Sequence, residues 1–293
     1  MGAAAQILLV IVLCGLTAFG TGADASASDG VAPHGCNHAC SGIEAKDCIK
    51  ASEHADTGNN PNTVAGQACT AAISGDRYRV RAADRRAFWL WSGVGSSAEM
   101  GGAEVVYLHQ GEVNLYRGRP VFERVGLPVS RLSFPRIWLT VRLSTLDLPD
   151  EIVTRIVGLL ARWSQSGNHV VGLQIDFDAA TRRLGDYAQF LTTLREKLPA
   201  QFALGVTGLL DWASTGDIAT LNKLPVDELV VQTYQGRHSV PNYARYLPAL
   251  KKLQIPFRIG LVQHGEWDPR YERELSGSRW YRGAVVFMLR PVR

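Results

Sequence analysis

Eight short runs of apolar, β-branched and aromatic residues recur along the chain after residue 87, and this rhythm constrains the fold more than any other feature. The runs are Phe88–Trp91, Val105–Val113, Ile137–Leu143, Val170–Asp178, Ala203–Asp211, Glu228–Tyr234, Phe257–His264 and Ala284–Leu289. Segments with helical spacing lie between them, the clearest being Pro149–Ser166, Arg182–Leu198, Thr215–Leu224 and Tyr243–Leu253. Strands that alternate with helices predict βαβ units and a parallel sheet. Eight such units close into a barrel, so we predict an α/β fold, a TIM-like (β/α)8 barrel over residues 77–293.

The early part of this pattern is irregular. The first crossover, Ser92–Glu104, has room for barely one helical turn, and Pro120, Pro128 and Pro135 interrupt the second. Proline breaks helices because it lacks the backbone N–H. A doubly wound open sheet is therefore the alternative fold.

The N-terminus has a different character from the rest of the chain. Ile7–Leu13 is an unbroken apolar run, too short for a stable span, and small-x-small sites follow at Ala23–Ala25 and Ala25–Ala27. This pattern is typical of a signal peptide. We therefore predict a leader at residues 1–25 and an exported protein, periplasmic or extracellular, with an uncleaved membrane anchor as the alternative. No later segment is apolar enough to predict a membrane span in the mature chain.

Residues 26–76 form a cysteine-rich segment with little apolar content. Four cysteines lie in it: Cys36, Cys40, Cys48 and Cys69. An even number of clustered cysteines in an exported chain predicts two disulfides. His34, His38 and His54 lie nearby, which leaves a zinc site or free thiols as alternatives. The chain has 31 Lys and Arg against 27 Asp and Glu, without a basic cluster interleaved with aromatic residues, so we predict no nucleic-acid partner.

The fourth strand carries the most specific pattern of polar residues. Its odd positions from Val171 to Phe177 are apolar, whereas the even positions end in Gln174, Asp176 and Asp178. Residues two apart on a strand share a face, so these three side chains are predicted to climb one face towards the C-terminal end of the strand, where TIM barrels hold their chemistry. Two close carboxylates cannot both ionise freely, and one pKa should rise to make a proton donor.

A structural role for the two aspartates is the alternative. Asp178 lies four residues before Arg182, so one carboxylate could cap the next helix and the other could pair with Arg182 or Arg183. Gln174 and Asp176 lie too deep on the predicted strand for either task.

Polar and aromatic residues also follow the other predicted strands. They are Gln110, Glu112, Arg142, Asp211, Trp212, Gln232, Tyr234, Gln235, Gln263, His264, Glu266 and Trp267. Amides and carboxylates that bond hydroxyls, together with flat rings that stack on pyranose faces, are typical of a sugar site. Because the ends of parallel strands meet at one mouth, the sequence predicts a carbohydrate as substrate or ligand.

Several motifs resemble a bacterial family known as domain of unknown function 3142. They are Phe88-Trp-Leu-Trp91, Gly172-Leu-Gln-Ile-Asp-Phe-Asp178, Thr207-Gly-Leu-Leu-Asp-Trp212, Val231-Gln-Thr-Tyr-Gln-Gly236 and Gly260-Leu-Val-Gln263. The resemblance extends from Phe88 to the end of the chain. It implies a glycosidase-like barrel without a settled activity.

A more distant resemblance connects the fourth strand to family 18 chitinases, which carry Asp-Gly-x-Asp-x-Asp-x-Glu there. It implies that Asp178 takes the place of the general-acid Glu, Asp176 that of the assisting Asp, and Gln174 that of the deepest acid. Tyr234 takes the place of the tyrosine that supports the N-acetyl group. Asp178 is one methylene shorter than Glu, and Gln174 cannot share a proton, so the chain departs from the family at two positions.

We therefore predict a glycoside hydrolase-like barrel. Asp178 would donate the proton, Asp176 would tune it, and Tyr234 and Gln232 would orient the sugar. Asp211 or Glu266 would be the nucleophile unless the substrate's own acetamido group attacks. One alternative is a non-catalytic polysaccharide-binding barrel.

A second alternative is a metal-dependent hydrolase or deacetylase. His-x-x-Glu-His and His-Glu-x-x-His are absent from the sequence, and neither His109 nor His264 has a nearby histidine partner. We predict neither a metal nor a cofactor.

Overall fold

The computed structural model describes residues 78–290. The predicted leader and the four cysteines of the predicted disulfides lie outside these residues. The strands are β1 (Ala87–Leu90), β2 (Val105–Tyr116), β3 (Arg119–Arg124), β4 (Ile137–Leu143), β5 (Val170–Asp176), β6 (Ala203–Leu209), β7 (Glu228–Gln232), β8 (Tyr234–Gln235), β9 (His238–Ser239), β10 (Phe257–Val262) and β11 (Tyr281–Met288). The α-helices are α1 (Asp150–Gln165), α2 (Leu184–Lys197), α3 (Trp212–Thr215), α4 (Ile218–Leu221), α5 (Leu247–Leu250) and α6 (Arg270–Leu275).

Eight of the described strands form a closed parallel barrel. Around the barrel they follow the order β1, β2, β4, β5, β6, β7, β10, β11, and β11 pairs with β1 again. Closure through β1 excludes the open sheet that was the alternative. The predicted TIM-like barrel is confirmed, and the ends of its parallel strands define one mouth.

The second crossover differs most from the prediction. The run predicted to end at Val113 continues to Tyr116, and the chain then returns antiparallel as β3, so that β2 and β3 form a hairpin. The exposed turn is Arg117-Gly118, where both residues have positive φ. That conformation is typical of a type I′ turn, whose twist matches the flanking strands. A hairpin thus precedes the crossover to β4, and no α-helix lies within residues 117–136.

The helices of the second half are shorter than predicted. The segment Thr215–Leu224 was expected to be one helix, but Gly216 separates α3 from α4. The side chain of Asp217 accepts a hydrogen bond from Ala219 N and starts α4 as an N-cap. Tyr243–Tyr246 is a 3-10 turn before α5, and α6 was not predicted. Within residues 78–290 none of the helices has the length and apolar character needed to span a membrane.

The barrel strands bury both faces. Outward side chains such as Leu139 and Ile175 pack with helical residues such as Ile156 and Trp163 in one large core. Inward side chains form an interior cluster: Ala87, Trp89, Val105, Tyr107, Trp138, Val230, Val285 and Phe287. Fully burying one such aromatic side chain contributes about 1.5–3 kcal/mol, so the interior cluster closes the barrel as a packed core.

The inward and outward positions of β5 follow the prediction only from Leu173 onward. Val170 packs in the outer core and Val171 against the interior cluster, which is the reverse of the predicted alternation. The register with β4 slips between Ile137 and Trp138, because β5 carries one extra residue there. This bulge shifts the face of each later residue by one position.

Candidate active site

A row of charged side chains crosses three strands at the mouth. Glu112 on β2 is the register partner of Arg142 on β4, and Arg142 is the partner of Asp176 on β5. Neighbouring residues in register point to the same side of a sheet. The three therefore face the barrel axis together where the strands end. The prediction that strand ends bring distant polar residues together describes this row well.

Asp176 is the most enclosed member of the row, with a side chain only 3% exposed. Its Oδ1 accepts hydrogen bonds from Thr207 Oγ1 at 2.6 Å and from Gln232 Nε2 at 3.4 Å. Its Oδ2 accepts no hydrogen bond from the described residues and lies 3.5 Å from Arg142 Nη1. Burial raises the pKa of Asp176, and the charge of Asp178 raises it further, whereas Arg142, Thr207 and Gln232 lower it.

Asp178 lies just beyond the end of β5, and its side chain is 56% exposed. Its Oδ2 is 3.4 Å from Arg142 Nη2, so this arginine bridges the two aspartates. The alternative of a structural role predicted that an aspartate pairs with Arg182 or Arg183. Asp178 pairs instead with Arg142 on β4. The raised pKa lies on Asp176, the deeper carboxyl, and burial is a larger cause than the repulsion between carboxylates that the sequence led us to expect.

Aromatic rings from β1 and its end adjoin the charged row. The Arg142 guanidinium lies 5.6 Å from the centroid of the Trp91 ring, and Trp91 packs against Trp89 at 4.3 Å. Trp89 Nε1 donates a 2.8 Å hydrogen bond to Gln174 Oε1, which also accepts from Thr140 Oγ1 at 3.1 Å. Gln174 is thus fully enclosed beneath the aspartates, and its role in this structure is to hold Trp89.

Tyr234 lies beside the same carboxylates. Its ring packs on Phe287 at a centroid distance of 4.9 Å. Burial raises the pKa of its hydroxyl, and the nearby charges of Asp176 and Asp178 add to the effect. Tyr234 and Gln232 therefore stand where the sequence predicts them, next to the aspartate pair, and Tyr234 stays a neutral hydrogen-bond donor at physiological pH.

His109 and Gln110 lie next to the row on β2. His109 is buried, its ring packs edge-on against Trp91, and its Nε2 is 3.5 Å from Glu112 Oε1. Burial lowers the pKa of His109, with Arg142 acting in the same direction and Glu112 against it. Gln110 is the extra residue at a register shift of β2 and packs against Gly126, outside the charged row.

The predicted residues on later strands serve mainly local structure. Trp212 Nε1 donates to the carbonyl of Ala179, and the ring is buried in the outer core. Trp267 is 2% exposed, stacks on Tyr243, and donates from Nε1 to Glu272. Neither ring offers a free face for stacking on a sugar, because both are enclosed by protein. The geometry therefore does not support the substrate-binding role predicted for these two tryptophans.

Three further predicted residues also have protein partners. Asp211 Oδ2 accepts from Thr181 Oγ1 at 2.9 Å. Gln263 donates to Glu99 Oε2 at 3.2 Å and accepts from Leu289 N at 3.0 Å. Glu266 is exposed and forms an isolated backbone bridge with Arg79. These contacts stabilise the loops around the mouth.

The sequence did not assign Thr207, Trp89 and Trp91 to the site. Thr207 donates the shortest hydrogen bond to Asp176, and the two tryptophans line the side nearest Arg142. The signals that could have found them were the alternation in Phe88-Trp-Leu-Trp91 and the place of Thr207 on a predicted strand, at the start of the Thr207–Trp212 motif. In the part of the chain that the structure describes, no three His, Cys, Asp or Glu side chains are grouped to hold a metal.

The chain is similar to one known protein family and to several solved structures. A family model described as a domain of unknown function, DUF3142, matches residues 131–256. No curated protein matches the chain. Similar solved structures include the ICChI chitinase from Ipomoea carnea, with 14% identity, a TM-score of 0.45, and coverage of 69% of this chain and 93% of that chain.

Two inhibitor proteins are also similar in structure. The xylanase-alpha-amylase inhibitor protein XAIP-I, in complex with trehalose, has 12% identity and a TM-score of 0.48, covering 70% of this chain and 93% of that chain. The xylanase and alpha-amylase inhibitor protein XAIP-II from Scadoxus multiflorus has 14% identity and a TM-score of 0.43, covering 69% and 92%.

The family match contains the motifs of β5, β6 and β7, whereas those of β1 and β10 lie outside it. The matched region is thus shorter than the range from Phe88 to the end of the chain that the motifs predicted. The match to this family over residues 131–256 agrees with the resemblance carried by the motifs of the central strands.

Proposed function

We propose that the protein is a glycoside hydrolase-like enzyme that acts on an envelope or extracellular carbohydrate at the mouth of its barrel. The observation that carries this proposal is the buried Asp176 beneath the exposed Asp178, with Arg142 between them. Burial raises the pKa of Asp176, so a neutral carboxyl can persist beside the exposed Asp178, which would act as the proton donor.

The two aspartates would divide the work. Asp178 is the exposed carboxyl and would meet the glycosidic oxygen as proton donor. Because burial raises its pKa, Asp176 would keep a proton more readily than an ordinary aspartate. It would thus set whether a neutral or a negative group lies beneath Asp178.

The other residues of the mouth would position the sugar. Tyr234 and Gln232 lie beside Asp176 and would donate hydrogen bonds to a ring substituent. Trp91 is only partly buried and would supply an apolar surface at the opposite side of the mouth. A separate nucleophile is not required, because an acetamido group on the substrate can attack in its place.

One observation favours the alternative of a barrel that binds carbohydrate without cleaving it. Arg142 Nη2 lies 3.4 Å from Asp178 Oδ2, so the carboxylate that would act as the proton donor already has a cationic partner. Substrate would have to displace this contact before Asp178 could act as an acid.

The full-length protein should be incubated with a panel of envelope and extracellular polysaccharides, and released reducing ends should be measured. We expect cleavage by the wild type and a loss of about 10²–10⁴-fold in rate for Asp178→Asn on a glycoside with a poor leaving group. The loss should be much smaller on an aryl glycoside with a good leaving group, which needs little protonation. Asp186→Asn, an exposed change on α2, serves as the matched control.

Two results would decide against catalysis by Asp178. Equal losses on both substrates would assign the residue to positioning. Binding without turnover by the wild type, retained in Asp178→Asn, would establish the non-catalytic barrel.

A further inference from the structure

The β2–β3 hairpin extends past the barrel at the mouth. β2 has 12 residues and β4 has 7, and the last residues of β2 pair with β3 alone. Gly111 lets the two strands pack closely, because a Cβ there would lie 2.3 Å from the Phe122 ring. The tight Arg117-Gly118 turn fixes the tip. The hairpin is therefore a defined projection of the barrel wall.

The register determines which face of the hairpin points to the mouth. Val113 and Phe122 are register partners, and both are buried in the outer core. Residues of the opposite face therefore continue the inward side of the barrel. These are Glu112, Asn114 and Tyr116 on β2, paired with Glu123, Val121 and Arg119 on β3. Asn114 Nδ2 donates to Glu112 Oε2 at 3.2 Å, which links this face to the charged row.

Apolar exposure in the described part of the chain is concentrated on this hairpin. Five large apolar residues there are exposed, and four of them belong to the hairpin or the loop after it: Leu115, Tyr116, Val121 and Leu127. Tyr116 is the most exposed, at 63%. The Arg117 guanidinium lies 5.4 Å from the centroid of its ring. An aromatic ring exposed to solvent on a paired strand next to a polar cleft suits stacking on an extended ligand.

We propose that the inward face of the hairpin is a second part of the carbohydrate site and that the ligand is a chain of several sugar units. One sugar would lie over Asp176 and Asp178, and a distant unit of the same chain would stack on Tyr116. The five residues from Glu112 to Tyr116, four steps along the strand, span about 13 Å, which is longer than one sugar ring. This inference rests on the proposed function and adds to it the size of the substrate.

Binding of short and long oligosaccharides to the full-length protein tests the inference. The probes are dimers and hexamers of glucose, of N-acetylglucosamine and of galacturonic acid, each titrated by calorimetry. We expect at least one hexamer to bind more tightly than its dimer. Tyr116→Ala should weaken that hexamer about tenfold, the effect of roughly one lost aromatic contact, and leave the dimer unchanged.

Leu115→Ala is the matched control. Leu115 is also exposed on the hairpin, at 52%, but lies on the opposite face, so its loss should change neither affinity. Unchanged melting of both variants shows that the hairpin remains folded. Equal hexamer affinity in Tyr116→Ala and the wild type would overturn the inference while leaving the proposed function intact.

Two other outcomes also count against the inference. Oligomer dissociation in Tyr116→Ala without a change in hexamer affinity would assign the surface to a second copy of the chain. Failure of every probe to bind the wild type would overturn both the inference and the proposed carbohydrate function, and the two failures are thus distinguishable.

Discussion

Each end of the barrel interior holds a carboxylate, an arginine and a tyrosine, yet the two ends treat these groups differently. At the end where the strands begin, Glu228 accepts from the Tyr107 hydroxyl through one oxygen and from Arg258 Nε at 2.8 Å through the other. At the mouth, Asp176 has an oxygen that accepts no hydrogen bond from the described residues, and Arg142 stands 3.5 Å away.

The two ends differ in how far their buried polar atoms are satisfied. A buried ion pair whose partners are both satisfied stabilises one conformation, whereas a buried polar atom without a hydrogen bond costs free energy. Burial also raises the pKa of Tyr107 and keeps it a neutral donor to Glu228. The end where the strands begin, called the closed end below, thus holds a fully paired carboxylate, whereas the mouth holds a carboxylate oxygen without a hydrogen bond from the described residues.

The largest effect on stability is expected at the closed end. Glu228→Gln leaves Arg258 as an uncompensated buried charge and should lower the free energy of unfolding by about 3–5 kcal/mol. Urea unfolding at neutral pH measures this loss. Glu123→Gln, on the exposed hairpin strand, should change stability by less than about 0.5 kcal/mol. A small loss for Glu228→Gln would remove the contrast between the two ends.

A substitution of Arg142 at the mouth should change the pKa of Asp176 more than the free energy of unfolding. Arg142 lowers the pKa of Asp176, so Arg142→Met should move that pKa upward. Carbon-detected NMR titration of the Asp176 carboxyl measures the shift directly. Arg136→Met, near Tyr107 at the closed end, is the control and should leave the Asp176 titration where it is. An unchanged titration in Arg142→Met would mean that the arginine does not bridge the aspartates in solution.

A still smaller effect is expected for Trp267, which the sequence placed in the sugar site. Trp267→Phe removes the hydrogen bond to Glu272 and should cost about 1 kcal/mol of stability. Carbohydrate affinity should stay at the wild-type value because the ring is enclosed. A marked loss of affinity with unchanged melting would restore Trp267 to the site.

The sequence predicted the elements whose pattern is local. The alternation on β5 identified Gln174, Asp176 and Asp178, and seven of the eight barrel strands begin within one residue of their predicted start. β3 was not predicted, because Pro120 interrupts an otherwise strand-like segment. The proline is tolerated there because β3 is an edge strand of the hairpin.

Contacts between distant strands could not be predicted in the same way. Tyr107, Glu228 and Arg258 lie far apart in the sequence, and only barrel closure brings them together. The same holds for Arg142, whose place between the two aspartates follows from register and not from spacing. Whether a tryptophan faces a cleft or a helix is likewise decided by packing. The sequence pattern therefore could not predict that Trp212 and Trp267 are buried.

We expect that Asp176 is held at the mouth at a cost to stability. The direct measurement is the free energy of unfolding of the wild type and of Asp176→Asn between pH 4 and pH 8. A raised pKa means that the folded protein holds the Asp176 proton more tightly than the unfolded chain does. The contribution of this proton to stability is therefore fully present below the ordinary pKa of 3.8, and it is lost as the pH rises through the raised pKa of the folded protein.

The asparagine variant cannot ionise at this position, so it does not lose this stability as the pH rises. Relative to the wild type, Asp176→Asn should therefore become more stable as the pH rises, while carbohydrate cleavage or binding is lost. A variant that is less stable by several kcal/mol across the whole range, or a difference in stability that does not change with pH, would instead make Asp176 a structural anchor like Glu228.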